Sequence, residues 1–199
     1  MNGVSSMDLI LVRHGRACER DSVAWPDDAR RPLTVEGRDE FALLAKRLGR
    51  ALPKVDLVES SGFVRAWQTA QLLAEHAGWT KPVRAERLEG DESELLPSET
   101  PRHRFQRQLD TLMRAITAMR GIDTVVWVGH EPILSHFASL LLCGDAARAR
   151  VAFKKGAAVA LRITEDVQLR DATGARMGGV AAQLLWMVTP GLVSRMRRA

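Results

Sequence analysis

The sequence predicts an α/β domain: a three-layer sandwich with a mostly parallel central sheet, helices on both faces, and a strand pair or hairpin at its C-terminal end. Three observations carry that expectation. Short aliphatic runs at Asp8–Val12, Val55–Val58 and Val125–Val128 have the composition of strands buried on both faces. Stretches with apolar residues at helical spacing alternate with these runs. The tail departs from this rhythm, with two strand-like segments, Ala157 to Ile163 and Ala182 to Val188, around a polar, glycine-containing stretch.

The elements follow in order. After the first run, Thr34 is placed to cap a helix from about Val35 to Arg50, with Glu36 in the first turn where a negative charge suits the dipole. Phe41, Leu44 and Leu48 share one face of it, and Pro53 ends it. A second helix is expected from about Val64 to Ala77, with Gly78 as its stop. Residues 79–100 read as irregular. Pro101 opens a third helix reaching Met119, with Phe105, Leu109, Leu112, Met113 and Ile116 on one stripe. A fourth runs from about Pro132 to Leu142.

At 199 residues the chain is long enough for one domain with a substantial core. The expected division is a flexible start, 1–6, and a single domain over 7–199, with Met7 also a candidate initiator. Met1 to Ser6 lack the basic and apolar regions of a signal peptide. No apolar run is long enough to cross a bilayer. Cys18 and Cys143 have neither a metal spacing nor the density of a disulfide scaffold. A cytoplasmic location is the resulting default. The formal net charge of +5 favours anionic partners without choosing among them.

The chemistry gathers at the ends of the three buried runs. The first ends in Arg13-His14-Gly15, the second in Ser60-Ser61 with Arg65 at the start of its helix, and the third in Gly129-His130. In open parallel α/β sheets, ligands bind beyond the carboxyl ends of the strands. Arginine offers a planar fork matching phosphate oxygens, and two arginines with a histidine can hold a transferring phosphoryl group. A neutral imidazole is a competent nucleophile, and neighbouring cations would keep it neutral. Singly, each residue has a plainer reading: an arginine at a strand end is usually solvated, and a lone histidine usually sits at a rim. His76, His103 and His136 keep that plain reading; four residues on one sheet edge do not.

Competing motifs fail. His130-Glu131 begins a zincin-like string, but Leu134 stands where the second histidine is needed. There is no G-x-S-x-G elbow, no P-loop and no G-x-G-x-x-G. A cysteine phosphatase needs arginine six residues after its cysteine, where this chain has Ala24 and Ala149.

The segments Leu9-Ile10-Leu11-Val12-Arg13-His14-Gly15, Ser60 to Ala70 and Val128-Gly129-His130-Glu131-Pro132 resemble, in order, the three signature blocks of the histidine phosphatase superfamily, the phosphoglycerate-mutase-like fold. The resemblance covers about residues 7–190. Within the superfamily the chain is most similar to the small bacterial phosphohistidine phosphatases of the SixA type, through Ala17, Arg31-Pro32-Leu33-Thr34 with Gly37, and a compact tail. The resemblance implies that His14 is the phosphorylated nucleophile and that Arg13, Arg65 and His130 bind the phosphoryl oxygens. It implies no metal and no cofactor.

Two departures bear on the reaction. Arg20 stands where the mutases carry an asparagine, and the mutases' acid has no clear counterpart, leaving Glu89, Asp91 and Glu92 as candidate proton donors or as a solvated acidic loop. The expected activity is a metal-independent phosphatase, with a phosphohistidine protein or a phosphorylated small molecule as partner. The alternatives are a small-molecule phosphomonoesterase and a non-catalytic phosphate-recognition module, against which the intact His14 argues. Nucleic acid is not an expected partner: Arg102, His103, Arg104, Arg107 and the C-terminal arginines are basic, but no binding motif or stacking pattern accompanies them. No membrane association is expected.

Overall fold

A computed structural model describes residues 6–89, 100–119, 121–166 and 179–196. In chain order the elements are β1 (Ser6–Arg13), α1 (Val35–Ala51), β2 (Leu57–Ser60), α2 (Val64–Ala77), β3 (Val83–Arg84), α3 (Pro101–Ala118), β4 (Thr124–Gly129), α4 (Ile133–Cys143), β5 (Ala158–Asp166), β6 (Gly179–Val188) and α5 (Pro190–Met196). Short 3-10 turns lie at Asp28–Arg30 and Glu86–Leu88. The six strands form one sheet in the order β3-β2-β4-β1-β5-β6. The first four are parallel; β5 runs antiparallel to β1, and β6 to β5. The mostly parallel sheet and the C-terminal strand pair are thus as the sequence predicts.

Strand alternation builds the three layers. Leu9, Leu11, Val125, Trp127, Val159 and Leu161 face α3 and α4, packing on Leu109, Leu112, Ile116, Leu134 and Phe137. The intervening Ile10, Val12, Val58, Val126, Val128, Ala158 and Ala160 face the other way, onto Phe41, Leu44 and Leu48 of α1, Ala66, Ala70 and Leu73 of α2, and Val193 of α5. Burial on both faces explains why the central strands are nearly continuous aliphatic runs.

Some boundaries differ from expectation. The second strand begins at Leu57, not Val55, and ends at Ser60. The Asp56 carboxylate accepts the N–H groups of Asp123 and Thr124, so this residue ties off the start of β4 instead of extending β2. The stretch 79–100 is not wholly irregular, since it holds β3 and the 3-10 turn at Glu86–Leu88. Helix α5 was not anticipated; Thr189 accepts the Leu192 N–H through its side chain, and Pro190 takes the first position. Of the expected flexible start 1–6, Ser6 is already in β1 and the rest lies outside the described residues.

The first helix is locked against the loop that leaves β1. Thr34 caps α1 by accepting the Gly37 N–H at 2.9 Å, and the Thr34 N–H reaches the Arg16 carbonyl at 3.0 Å. A Cβ on Gly37 would lie 2.1 Å from that same carbonyl oxygen. Gly37→Ala is therefore expected to destabilise the fold by roughly 2–3 kcal/mol through forced separation of α1 from this loop. Chemical denaturation measures it, and an unchanged midpoint would contradict the close approach.

Candidate active site

The parallel strands β1 and β4 are neighbours, and the connections leaving them go to opposite faces of the sheet. Such a switch point opens a crevice at the strands' carboxyl ends. Arg13 ends β1, and the chain then turns through His14 and Gly15 under three backbone restraints. His14 N–H donates to the Gly129 carbonyl at 3.1 Å, and Gly156 N–H donates to the His14 carbonyl at 2.9 Å. Gly15 N–H donates to Thr69 Oγ1 at 3.0 Å, and the Thr69 hydroxyl donates to the Arg65 carbonyl at 2.7 Å. One turn of α2 thereby fixes the histidine loop to the helix that carries Arg65. The neighbouring Gln68 accepts the Leu33 N–H at 2.9 Å and holds the return of the same loop.

Arg13, His14, Arg65 and His130 come together. The rings of His14 and His130 lie 5.2 Å apart, centroid to centroid. His130 contacts Phe63, and the Arg65 guanidinium lies over the same Phe63 ring at 5.0 Å. His14 and His130 are only 6% and 7% exposed. Burial, first, lowers the His14 pKa to about 3; the Gly15 hydrogen bond opposes this, and the charges of Arg65, Arg13 and Arg31 add to it. His130 is lowered to about 2, again mainly by burial, then by His14 and Arg65. Both imidazoles are neutral near pH 7. Burial outweighs the neighbouring cations that the sequence suggested as the cause.

Tautomers follow from the partners. His14 Nδ1 lies 2.7 Å from the Gly15 carbonyl, which can only accept. Nδ1 therefore carries the proton, and Nε2 keeps its lone pair.

Several nitrogens of the cluster are buried and have no partner: Arg13 Nε, Arg65 Nε and His130 Nδ1. Buried polar atoms are nearly always paired, so three orphaned donors on residues that converge with His14 fit an anion; Arg87 Nε and Glu131 Oε1 are orphaned as well. Three of the four terminal guanidinium nitrogens of Arg13 and Arg65 are anchored. Arg13 Nη1 donates to the Phe153 carbonyl at 2.6 Å. Arg65 Nη1 donates to the Asp28 carbonyl at 2.7 Å, and its Nη2 pairs with Asp28 Oδ2 at 3.0 Å. Asp28 also receives Arg31 Nε at 2.9 Å, with Arg20 at 3.6 Å. Burial alone would raise the Asp28 carboxyl, but the Arg31 hydrogen bond and the charges of Arg65, Arg31 and Arg20 hold it below the usual range.

Of the candidate acids, Glu89 is held beside Gly62, the residue between Ser61 and Phe63. Glu89 Oε1 accepts Gly62 N–H at 2.9 Å and Arg84 Nε at 2.7 Å. The Arg84 hydrogen bond, helped by Gly62, outweighs burial and holds the Glu89 carboxyl below the ordinary range. The same two contacts tie the 84–89 segment to the turn that follows β2. Asp91 and Glu92 lie outside the described residues.

Ser61, Thr69, Gln68, Asp28 and Arg31 were not singled out as functional from the sequence. The first three sit inside the second sequence block, where Ser61, following a strand, also reads as a turn residue or cap. The i, i+3 spacing of Asp28 and Arg31 was the available signal for their ion pair. Clefts occur elsewhere: one of about 680 Å³ lined by Arg16, Lys154, Lys155 and Pro190 among others, and an apolar one of about 340 Å³ between α1, β6 and α5. Neither contains the four converging residues. The site is identified by its orphaned donors and its free imidazole nitrogen, not by size. Among the described residues no cluster of His, Cys, Asp and Glu could hold a metal ion, and no helix is long and apolar enough to cross a membrane.

Comparison with known proteins bears on the family and the fold. Residues 9–90 match the family model of the histidine phosphatase superfamily (branch 1). An uncharacterized protein of Picosynechococcus sp. is 30% identical over 156 residues, covering 78% of this chain and 85% of the relative. The fold is similar to that of the protein histidine phosphatase SixA complexed with tungstate, with a TM-score of 0.61 and 22% identity over 94% of this chain and 99% of the other. It is also similar to mycobacterial glucosyl-3-phosphoglycerate phosphatase, with a TM-score of 0.60 and 17% identity over 91% and 98% of the two chains. By the matched family model, the relative matched over 85% of its length and the order of its three motifs on one sheet edge, the chain belongs to the histidine phosphatase superfamily and is a phosphatase by class.

Proposed function

We propose that the chain hydrolyses a phosphoryl group through a covalent phosphohistidine on His14, and that its preferred substrate is itself a phosphohistidine, presented by a protein. The observation that carries the first half is the set of three orphaned buried nitrogens, Arg13 Nε, Arg65 Nε and His130 Nδ1, around an imidazole whose Nε2 is free. The substrate's phosphoryl oxygens satisfy those nitrogens. The Nε2 lone pair of His14 attacks phosphorus, and the bond from phosphorus to the leaving group breaks with its electron pair going to that group. Water then attacks phospho-His14, the P–N bond breaks, its electron pair returns to Nε2, and inorganic phosphate leaves. The arginines spread the charge of the transferring group, the work a metal does in other phosphoryl-transfer sites.

The substrate half rests on the leaving group. Arginines hold both the Asp28 and the Glu89 carboxyl below the usual range, which disfavours either as proton donor to a departing alkoxide. General acid help is worth about 10²–10⁴-fold when an oxygen must leave. A phosphohistidine can take a proton from solvent on its other ring nitrogen and then leaves as neutral imidazole, without an acid from the protein. The likeness to SixA supports the same reading. The likeness to the glucosyl-3-phosphoglycerate phosphatase favours the second reading, a small-molecule phosphomonoesterase.

Turnover of a phosphohistidine protein against a panel of sugar and aryl phosphomonoesters tests both. We expect a higher kcat/KM on phosphohistidine, unchanged by chelator. A higher value on a sugar phosphate would overturn the substrate assignment, and loss of activity on chelation would overturn the metal-free mechanism.

A further inference from the structure

We infer that Ser61 is a positioning residue that sets the tautomer of His130, making its Nδ1 a hydrogen-bond donor to the phosphoryl group; the inference rests on the proposed phosphoryl transfer for its kinetic consequence but not for the tautomer itself. Ser61 is fully buried at the carboxyl end of β2, and its Oγ lies 2.8 Å from His130 Nε2. The same oxygen accepts the Phe63 N–H at 3.2 Å. With that contact filled by a donor, the hydroxyl proton has one acceptor among its hydrogen-bond partners, His130 Nε2. A hydroxyl that donates to Nε2 requires Nε2 to be unprotonated, and a neutral imidazole then carries its proton on Nδ1. Nδ1 is the ring nitrogen that is buried without a partner.

The opposite tautomer would strand the hydroxyl proton in a fully buried place and aim a bare lone pair at an anion. Both effects are unfavourable. The two histidines are thus neutral but inverted. His14 donates from Nδ1 into the Gly15 carbonyl and keeps Nε2 as a lone pair, whereas His130 accepts at Nε2 and offers an N–H from Nδ1. One is arranged to attack and the other to bind. Their ring positions in the sequence give no hint of this difference; the serine supplies it.

Nitrogen-15 NMR of histidine-labelled protein at neutral pH tests the assignment, with the His130 signals identified by their loss in His130→Gln. We expect Nδ1 of His130 to show the shift of a protonated nitrogen and Nε2 that of an unprotonated one, with Nδ1 moving on addition of inorganic phosphate. In Ser61→Ala the two shifts should converge towards a mixture of tautomers. Its kcat should fall about 10- to 100-fold, a fraction of the loss expected when an oxyanion donor is removed outright, with a smaller change in KM. Ser61→Thr, which keeps the hydroxyl, should restore both the shifts and the rate. A proton on Nε2 in the wild type, or unchanged shifts and kcat in a folded Ser61→Ala, would overturn the proposal. Should Ser61→Ala fail to fold by circular dichroism, the wild-type assignment and the Ser61→Thr rate still decide it. If the tautomer is as stated but no phosphoryl compound is turned over, the phosphatase reading fails and the role of Ser61 in orienting His130 stands.

Discussion

Alanine at position 14 is expected to lower turnover by roughly 10⁴-fold or more, the scale lost when a covalent nucleophile is removed. It should leave the fold intact. The His14 side chain makes one hydrogen bond, to the adjacent Gly15 carbonyl, and the backbone bonds that hold the loop come from main-chain atoms that alanine retains. The pH dependence follows from the same environment. His14 is lowered to about 3, so its lone pair is available above that pH and is lost only as pH falls through it. The kcat/KM profile of the free enzyme, corrected for substrate ionisation, should show no nucleophile limb near the ordinary histidine value of about 6.5. Steady-state kinetics with a thermal melt on His14→Ala checks the first expectation. Near-normal turnover in a folded variant would contradict it.

Arg65→Ala is expected to lower kcat/KM by about 10²–10³-fold, the range seen when one preorganised donor to a developing anion is lost. Both kcat and KM should move, because a guanidinium holds the phosphoryl charge in the bound substrate as well as in the transition state. Arg65→Lys should recover little. Arg65 keeps Nε for the site while both terminal nitrogens are anchored on Asp28, and an ammonium on a flexible stem cannot do both. A loss below about tenfold for Arg65→Ala would mean that the orphaned Nε does not meet the substrate. Kinetics on the same phosphohistidine protein and on an aryl phosphate read both parameters.

Much of this arrangement was legible before any coordinates. Strand runs buried on both faces are their own signal, and β1 and β4 fell where aliphatic residues cluster. The convergence of Arg13, His14, Arg65 and His130 followed from topology: parallel strands bring their carboxyl ends to one edge, so residues distant in sequence become neighbours. Where reading failed, pairing decided the outcome over pattern. Val55 and Asp56 look like a strand start, but Asp56 spends its carboxylate on the backbone of β4, while polar Glu59 and Ser60 complete β2. Glu59 is accommodated there because it accepts from Trp127 Nε1 at 2.7 Å and pairs with Arg87, partners that no local pattern announces.

The electrostatic detail of the site was the least legible. Asp28 lies in a loop with no periodicity, and its role depends on three arginines, two of them close in sequence and one on α2. The Glu89 carboxyl is aimed by Arg84 and the Gly62 N–H, partners that its position in the sequence does not announce. The serine contact to His130 spans 69 residues of chain and leaves no mark in spacing.

The most direct test of the proposed chemistry is to trap the intermediate. Brief reaction with a substrate carrying labelled phosphate, followed by rapid denaturation and peptide mapping, should place the label on His14. The adduct should be acid-labile and alkali-stable, as a phosphoramidate is, and absent from His14→Ala. Label on another residue, or a folded enzyme that turns over with no label on His14 at any time, would contradict covalent transfer through this histidine.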